Sequence, residues 1–381
     1  MKMRLSRSII GSEEAKAVSR VLLEDGYLGM GTETKRFEED LAAFFEVEPE
    51  QVISTNSGTA ALHLACDAVC AQANTSGIPE ILVPSLTFVA SYQAITAAGC
   101  KPVSCDVLLE TGTLDLQDAK SRITENTVAI LFVDYASNPW KLSDVYAFAK
   151  EHHLRVIEDA AHAFGCRHHG QRIGSFGDLV CFSFDGIKNI TAGEGGCLVS
   201  FDPVATQLAS DARLLSVSGD TAKRFAGARS WDADVARQGW RYHMSNIMAA
   251  IGRVQLRRFP KEFLPKRMLR SSVYNQRLCT QKHVALFQTD PEDFICPHIQ
   301  VIRVLDGHKE HVRHVLEEHG IPTGLHYKPN HLHSFFGGGA VHLPNVEQLY
   351  TEILTLPLHP ALSCQDIEEI CGIIKKTLDT L

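Results

Sequence analysis

Lys188 stands in the segment Ser183-Phe184-Asp185-Gly186-Ile187-Lys188-Asn189-Ile190-Thr191-Ala192-Gly193-Glu194-Gly195-Gly196, downstream of an acidic strand end, Val156-Ile157-Glu158-Asp159. A lysine amine set between a strand and a glycine-rich loop can form an imine with a carbonyl compound. Asp159 ends a run that contains Leu154, Val156 and Ile157, so its carboxylate falls at the carboxyl edge of a strand, where open α/β sheets bind ligands. A charge held there wants a cationic partner. A protonated pyridine nitrogen is such a partner, and keeping that proton makes the ring an electron sink. Lysine and acid together are what Schiff-base chemistry on pyridoxal phosphate needs. Taken by itself, Asp159 reads equally well as a helix cap or half of a local ion pair.

A phosphate would need its own cradle. Thr55-Asn56-Ser57-Gly58-Thr59-Ala60-Ala61-Leu62 follows the first clear strand and opens a helix expected to run to about Cys70. Unpaired N–H groups and the positive helix end suit an anion, small residues let it approach, and the hydroxyls of Ser57 and Thr59 add donors. In isolation an ordinary N-capped helix is the simpler reading. Ser183 offers one more hydroxyl, although a serine on an alternating strand face explains it as well. Neither a Walker A sequence nor a G-x-G-x-x-G between strand and helix is present, so nucleotide hydrolysis and dinucleotide chemistry lack their main signatures. Cys66 and Cys70, four apart on one expected helix, have no second pair at ligand spacing and read as core, while His326, His331 and His333, with no spacing that points all three one way, read as loop or substrate contacts, so no metal is expected.

These groups need a scaffold. Short β-branched apolar runs recur at 51–54, 80–83, 101–105, 128–133, 154–158, 178–184 and 196–200, most of them separated by helix-length segments. Runs apolar on both faces suit a sheet buried under helices on both sides, a doubly wound α/β domain. Only the Lys188 loop separates the last two runs. It is too short for a helical crossover, so one of them is expected to be antiparallel and the sheet mixed. Ser245 reads as an N-cap, with Ile247, Ile251 and Val254 at helical spacing behind it. A smaller α+β unit follows. The helix expected to precede its closing helix ends at Gly320 and Pro322, and the closing helix carries a Ser363/Asp366 capping box with an apolar stripe of Ile367, Ile370, Cys371, Ile374 and Leu378. The expected division is 1–250 for the large domain and 251–381 for the small one.

A chain of 381 residues supports two such units. A net charge of −8 with both signs interspersed leaves no basic stripe for nucleic acid or anionic membrane. The start, Met1-Lys2-Met3-Arg4-Leu5-Ser6-Arg7-Ser8, has no apolar core of a signal peptide, and no stretch is long enough to span a bilayer. Eleven cysteines, including Cys66, Cys105, Cys181, Cys197 and Cys296 in apolar contexts, read as buried thiols in a reducing, cytoplasmic compartment.

In their order, Ser57 to Leu62, Pro84-Ser85-Leu86-Thr87-Phe88-Val89-Ala90, Glu158-Asp159-Ala160-Ala161-His162-Ala163 and Ser183 to Gly196 resemble the pyridoxal-phosphate-dependent nucleotide-sugar aminotransferases of the DegT/StrS type. The resemblance extends to Gly29-Met30-Gly31 with Phe37-Glu38, to 239–250, and to Thr323-Gly324-Leu325-His326-Tyr327. It implies the fold of fold-type-I pyridoxal-phosphate transferases: a large, mostly parallel mixed sheet and a smaller C-terminal α+β domain. It implies that Lys188 carries the cofactor and moves protons, that Asp159 holds the pyridine nitrogen, and that Phe88 stacks on the ring. His162 would sit near the ring hydroxyl or face, and Gly58, Thr59 and Ser183 would hold the phosphate. Homodimers with shared active sites are implied, Arg241 reaching the phosphate from the partner subunit.

Two positions depart from the family pattern. Arg241 stands where many relatives have asparagine, and arginine suits the same phosphate contact through a charge-assisted bond. Asp134-Tyr135-Ala136-Ser137-Asn138-Pro139 replaces a glycine-containing turn, which puts the shape of the nearby loop, and sugar preference, in question. The expected reaction takes an amino group from L-glutamate, releasing 2-oxoglutarate, and delivers it to a 4-keto-6-deoxyhexose on a nucleoside diphosphate, with His326 and Tyr327 facing the sugar. Such a product feeds amino-sugar biosynthesis, for example of lipopolysaccharide O-antigen. A 3-keto aminotransferase and a non-catalytic cofactor-binding sensor are the alternatives. A related 3-dehydratase branch has histidine at the lysine position, and Lys188 argues against it.

Overall fold

In the computed structural model, which describes residues 3–217, 219–228 and 232–381, the seven apolar runs form one sheet. The strands are β1 (Val52–Thr55), β2 (Glu80–Pro84), β3 (Lys101–Cys105), β4 (Thr127–Val133), β5 (Arg155–Asp159), then a short hairpin of β6 (Arg167–His168) and β7 (Gln171–Arg172), then β8 (Leu179–Ser183) and β9 (Gly196–Ser200). Their order in the sheet is β1-β9-β8-β5-β4-β2-β3. Pairings from β3 through β8 are parallel, and β9 runs antiparallel to both β8 and β1. The reversal follows from the short Lys188 loop, which turns the chain back without a crossover.

Alternation along each strand divides the interior into two cores. Leu82, Ile130, Phe132, Val180 and Phe182 face one side, and Ile81, Val83, Leu131, Leu179 and Cys181 the other. Helices Thr32–Phe45, Leu142–Glu151 and Asn246–Arg258 cover the first face. Gly58–Gln72, Val89–Ala97 and Pro203–Ala212 cover the second. Cys66, Cys105, Cys181, Cys197 and Cys296 are buried free thiols within these cores. No helix among the described residues is long and apolar enough to cross a membrane.

The Ser245 hydroxyl accepts from the Met248 N–H and caps the helix Asn246–Arg258. This helix packs against Ser12–Arg20 and Thr32–Phe45, contains the expected boundary at residue 250, and continues through the π turn Phe259–Phe263 into Leu264–Leu278. Beyond it, β10 (Val284–Leu286), β11 (Gln300–Val304) and β12 (Ile353–Leu356) form an antiparallel sheet with its own core. Ser363 and Asp366 satisfy each other's backbone N–H groups, and all five residues of the expected stripe in Cys364–Asp379 are buried. The helix Lys309–Glu318 gives way to Gly320 at φ +73°. It does not directly precede the closing helix: Pro344–Glu352 and β12 intervene, the first opened by a proline in its first turn. The N-terminal segment joins this unit, since the Leu5 carbonyl accepts from Leu358 N–H and Met3 packs on its core.

Candidate active site

Three sheet edges converge on one cavity of about 320 Å³, to which Lys188, Asp159, His162, Phe88, Ser183, Gly58, Thr59, His326 and Tyr327 all contribute lining. The carboxyl end of β5 delivers Asp159, whose Oδ2 accepts from the Ser91 hydroxyl at 2.8 Å and whose Oδ1 accepts from the Ala161 N–H at 3.2 Å. Thr87 lies 2.8 Å from Ser91, and because the Ser91 proton is given to Asp159, the Thr87 hydroxyl donates in turn. Asn330 ties this chain to the far side of the cavity by donating to the Thr87 carbonyl at 2.7 Å. Burial pushes the Asp159 carboxyl up, while Ser91, the Lys188 charge and the Ala161 N–H pull it down. A cationic group placed against it would relieve that burial.

Lys188 follows β8 in a loop pinned at its base, where Phe184 N–H donates to the Gly195 carbonyl and Ala192 N–H to the Phe184 carbonyl, both at 2.8 Å. Gly193 turns the chain at φ +85°. Burial lowers the Lys188 amine to about 8, against the opposing carboxylates of Asp159 and Asp185. A lysine with that affinity for protons populates its nucleophilic form far more than an exposed one does.

The anion cradle is built by close packing. The Ser57 hydroxyl accepts from Ala60 N–H and its carbonyl from Ala61 N–H, and no protein acceptor meets the N–H of Gly58 or Thr59 among the described residues. Those two donors remain at the positive end of a 15-residue helix. A Cβ on Gly58 would stand 2.7 Å from Ser183 Cβ and 3.0 Å from its Oγ, so only glycine lets the serine hydroxyl approach the helix start. Gly196 has the same function one step behind, where a Cβ would meet Gly58 N at 2.7 Å. Upstream, Glu38 pairs with Arg213, and its Oε1 accepts from Ser54 N–H and hydroxyl at 2.9 and 2.7 Å, which fixes β1 and the helix it feeds. Imine-forming lysine, buried acid and small-residue cradle fit a phosphorylated pyridine aldehyde.

The opposite wall is aromatic and polar. His162 Nε2 lies 3.0 Å from the Tyr327 hydroxyl, its Nδ1 has no partner, and burial with the nearby Lys188 and His326 holds the imidazole neutral. Burial, followed by Lys188, lowers His326 to about 4, and His326 Nδ1 lies 2.9 Å from the Thr355 hydroxyl. Phe88 is 54% exposed, its ring 5.5 Å from that of Tyr327, and so presents a bare aromatic face to the cavity.

Other positions singled out in the sequence lie elsewhere. His331 points away, to Ser85 Oγ at 2.7 Å and Glu347 at 3.2 Å, and lines none of this cavity. Arg241 is exposed and outside the cavity of its own chain. The turn after β4 keeps its left-handed backbone without glycine, with Ala136 at φ +53° and Ser137 at φ +71°. The Ser137 hydroxyl donates to the His162 carbonyl at 2.6 Å and accepts from the His298 N–H at 2.9 Å, while Tyr135 donates to the His326 carbonyl. Ser91, Thr87 and His298, whose ring centroid lies 4.6 Å from that of His162, are additions that sequence reading did not single out. Thr87 lies inside the quoted Pro84–Ala90 motif and Ser91 directly follows it, whereas His298 had no local signal.

Residues 8–375 match the model of the DegT/DnrJ/EryC1/StrS aminotransferase family. The chain is 32% identical over 385 residues to the dTDP-4-dehydro-2,3,6-trideoxy-D-glucose 4-aminotransferase of Saccharopolyspora spinosa, covering 99% of this chain and 97% of that one. Its fold superposes with a TM-score of 0.91 on the aminotransferase TlmJ from Streptoalloteichus hindustanus, 29% identical with 100% of both chains covered. The PMP form of Spr1654 from Streptococcus pneumoniae gives 0.89 at 25% identity, covering 100% of this chain and 98% of the other. The protein belongs to the DegT/DnrJ/EryC1/StrS family and is a sugar aminotransferase dependent on pyridoxal 5′-phosphate.

Proposed function

We propose that this enzyme moves the amino group of L-glutamate to C4 of a 4-keto-6-deoxyhexose carried on a nucleoside diphosphate. The observation that carries the reading is the single cavity in which Lys188, Asp159 and the Gly58–Ser183 cradle face the polar wall of His326 and Tyr327. Its likeness to a relative named as a 4-aminotransferase of a dTDP-linked dehydro sugar supports the choice of C4.

Pyridoxal phosphate, when bound, supplies an electron-withdrawing ring that stabilises negative charge on the carbon bearing the transferred nitrogen. Gly58 and Thr59 N–H and the Ser183 hydroxyl would hold the phosphate, and Asp159, fixed by Ser91 and Ala161, would hold the pyridine nitrogen protonated. Phe88 would pack against the ring, and His162, kept neutral, would lie near its hydroxyl or face. Lys188 Nζ would take the proton from one carbon and return it to its neighbour. With its amine lowered to about 8, Lys188 has both protonation states near neutral pH, as a group that must both accept and donate requires. The same lysine serves the glutamate and sugar halves. His326 and Tyr327 contact the sugar. Two copies complete each other, each lending Arg241 to the partner's phosphate.

A panel of 3-keto and 4-keto nucleotide sugars incubated with glutamate and read by mass spectrometry tests the proposal. A mass shift from ketone to amine on a 4-keto sugar, with 2-oxoglutarate formed in equal amount, is expected. Amination confined to 3-keto sugars, or none with any 4-keto sugar, removes it.

A further inference from the structure

Outside the cofactor cavity, the hairpin β6–β7, the helix Leu142–Glu151 and the loop before β11 bring three further groups together. Backbone bonds of 2.9 Å in both directions pair Arg167 with Phe294, which sets His168 beside Asp293. His168 Nδ1 lies 2.8 Å from Asp293 Oδ1, and His168 Nε2 lies 2.8 Å from the Ser143 hydroxyl. The His168 and Asp293 side chains are 3% and 0% exposed, whereas Ser143 is open to solvent.

A bond independent of the hydroxyl fixes the tautomer. Ser143 N–H, one of the donors that a helix start leaves unpaired, donates to His168 Nε2 at 3.3 Å. Nε2 is therefore an acceptor, free to receive the Ser143 Oγ–H as well, and the ring proton sits on Nδ1, facing Asp293. Asp293 Oδ1 also accepts from His169 N–H at 3.2 Å, and His169, at φ +47°, lays its ring on that of His168 with centroids 4.0 Å apart. A helix cap alone would need the Nε2 lone pair and nothing more. The ligand atoms of His168, His169 and Asp293 also lie within 4.8 Å of one another, as a metal site would require. A metal on Nδ1, however, with Ser143 N–H on Nε2, would leave the His168 ring without a proton on either nitrogen.

We propose that Ser143, His168 and Asp293 form a second active centre, a serine nucleophile with its base and orienting acid, which hydrolyses small activated carboxylic esters. Ser143 Oγ bonds to the ester carbonyl carbon as its proton passes to His168 Nε2, and Asp293 stabilises the imidazolium that forms. The bond from that carbon to the leaving oxygen breaks, and the departing alcohol takes the proton from Nε2. Water then repeats the sequence on the acyl-serine, releasing the acid and restoring Ser143. Leu142 and Asp144 N–H are taken by the Pro139 and Lys141 carbonyls, so the helix start offers a developing oxyanion its dipole and no free amide from these three residues. The centre is accordingly suited to activated esters, whose leaving group needs little help.

Holoenzyme is the material for the test, because the cofactor then occupies Lys188, the competing nucleophile. With p-nitrophenyl acetate, a burst of one p-nitrophenolate per chain followed by slower turnover is expected, and peptide mapping should place the acetyl group on Ser143. Ser143→Ala, a change at an exposed position, should remove the burst and lower hydrolysis about 10²-fold, while Ser143→Cys keeps a burst. Asp293→Asn, which disturbs the tautomer and leaves the nucleophile, should slow acylation about 10²-fold. Acetyl groups mapped only to other residues, a burst that survives in Ser143→Ala, or an unchanged rate in Asp293→Asn overturns the proposal. So does activity lost to a chelator and restored by zinc, which would assign the cluster to a metal. Sugar amination should be the same in wild type and Ser143→Ala, so failure of this centre leaves the aminotransferase reading standing.

Discussion

Lys188 is placed where burial opposes its charge and two carboxylates support it, and the balance leaves an amine at about 8. Replacing it by alanine removes the only imine-forming group of the cavity while the loop keeps its backbone bonds. Lys188→Ala is therefore expected to lower transamination by about 10³-fold or more, with the far-ultraviolet circular dichroism unchanged. Sugar amination persisting near the wild-type rate would refute the assignment. Ala136 presents the opposite case, a residue held in a conformation its side chain opposes, at φ +53° and ψ 32°. Its neighbour Ser137 keeps a left-handed backbone for its hydroxyl, which bridges His162 and His298, whereas the half-buried Ala136 methyl only packs at the edge of the second core. Ala136→Gly is expected to stabilise the fold by roughly 0.5–1 kcal/mol, the relief of left-handed strain less the added freedom of the unfolded chain. Urea denaturation of the two proteins side by side measures it.

At the scale of elements, the adjoining ends of β4 and β5 carry three acids. Asp134 and Glu158 are 0% and 1% exposed, and no lysine or arginine pairs with either among the described residues. Tyr146 donates to Glu158 Oε2 at 2.9 Å, and the remaining oxygens of the pair have no other donor, so a proton must be shared between them. Burial raises Glu158 to about 7, and burial together with the Glu158 charge raises Asp134. A carboxyl raised in the folded state destabilises it once the unfolded chain ionises first, so stability should fall as pH climbs from about 4.5 through about 7 and then level off. Glu158→Gln supplies an uncharged donor to Asp134 and should flatten that fall, by on the order of 3 kcal/mol at pH 8, since each tenfold change in proton affinity is about 1.4 kcal/mol. Parallel pH–stability curves for the two proteins would rule the shared proton out. The elements themselves were legible because strands buried on both faces read as unbroken apolar runs, and because Ser57, Ser245 and Ser363 announce their helices. Lys188, Asp159 and the glycine cradle were legible for the same reason: each belongs to one short segment. His298 was not, because its place beside His162 depends on how the chain between helix Leu264–Leu278 and β11 folds back onto the β4 turn. The partnerlessness of Asp134 was equally hidden, as it follows from what the neighbouring strands fail to supply.

For the whole molecule, the place of Arg241 bears on whether one chain makes a complete site. Arg241 is exposed, while the segment bearing it is fixed next to the cradle: Asn56 N–H donates to the Tyr242 carbonyl, and Asn56 Nδ2 donates to the Arg241 carbonyl at 3.3 Å. Its backbone is thus anchored beside the Ser57–Thr59 helix start of its own chain, yet its side chain lines none of that cavity, the disposition expected of a residue lent across a twofold axis. If so, the sites obey a simple count. Lys188→Ala and Arg241→Ala homodimers each lack one component in both sites. In the mixed dimer, one site lacks both components and the other has the lysine of one chain and the arginine of its partner. Equal amounts refolded or co-expressed together should therefore recover roughly a quarter of wild-type activity, half the dimers being mixed and half of their sites intact. An arginine acting within its own chain leaves every site defective, and mixing would then restore nothing. Separately tagged chains purified in tandem isolate the mixed dimer, whose activity should rise to about half of wild type, and a tandem-purified dimer without activity would assign Arg241 to its own subunit.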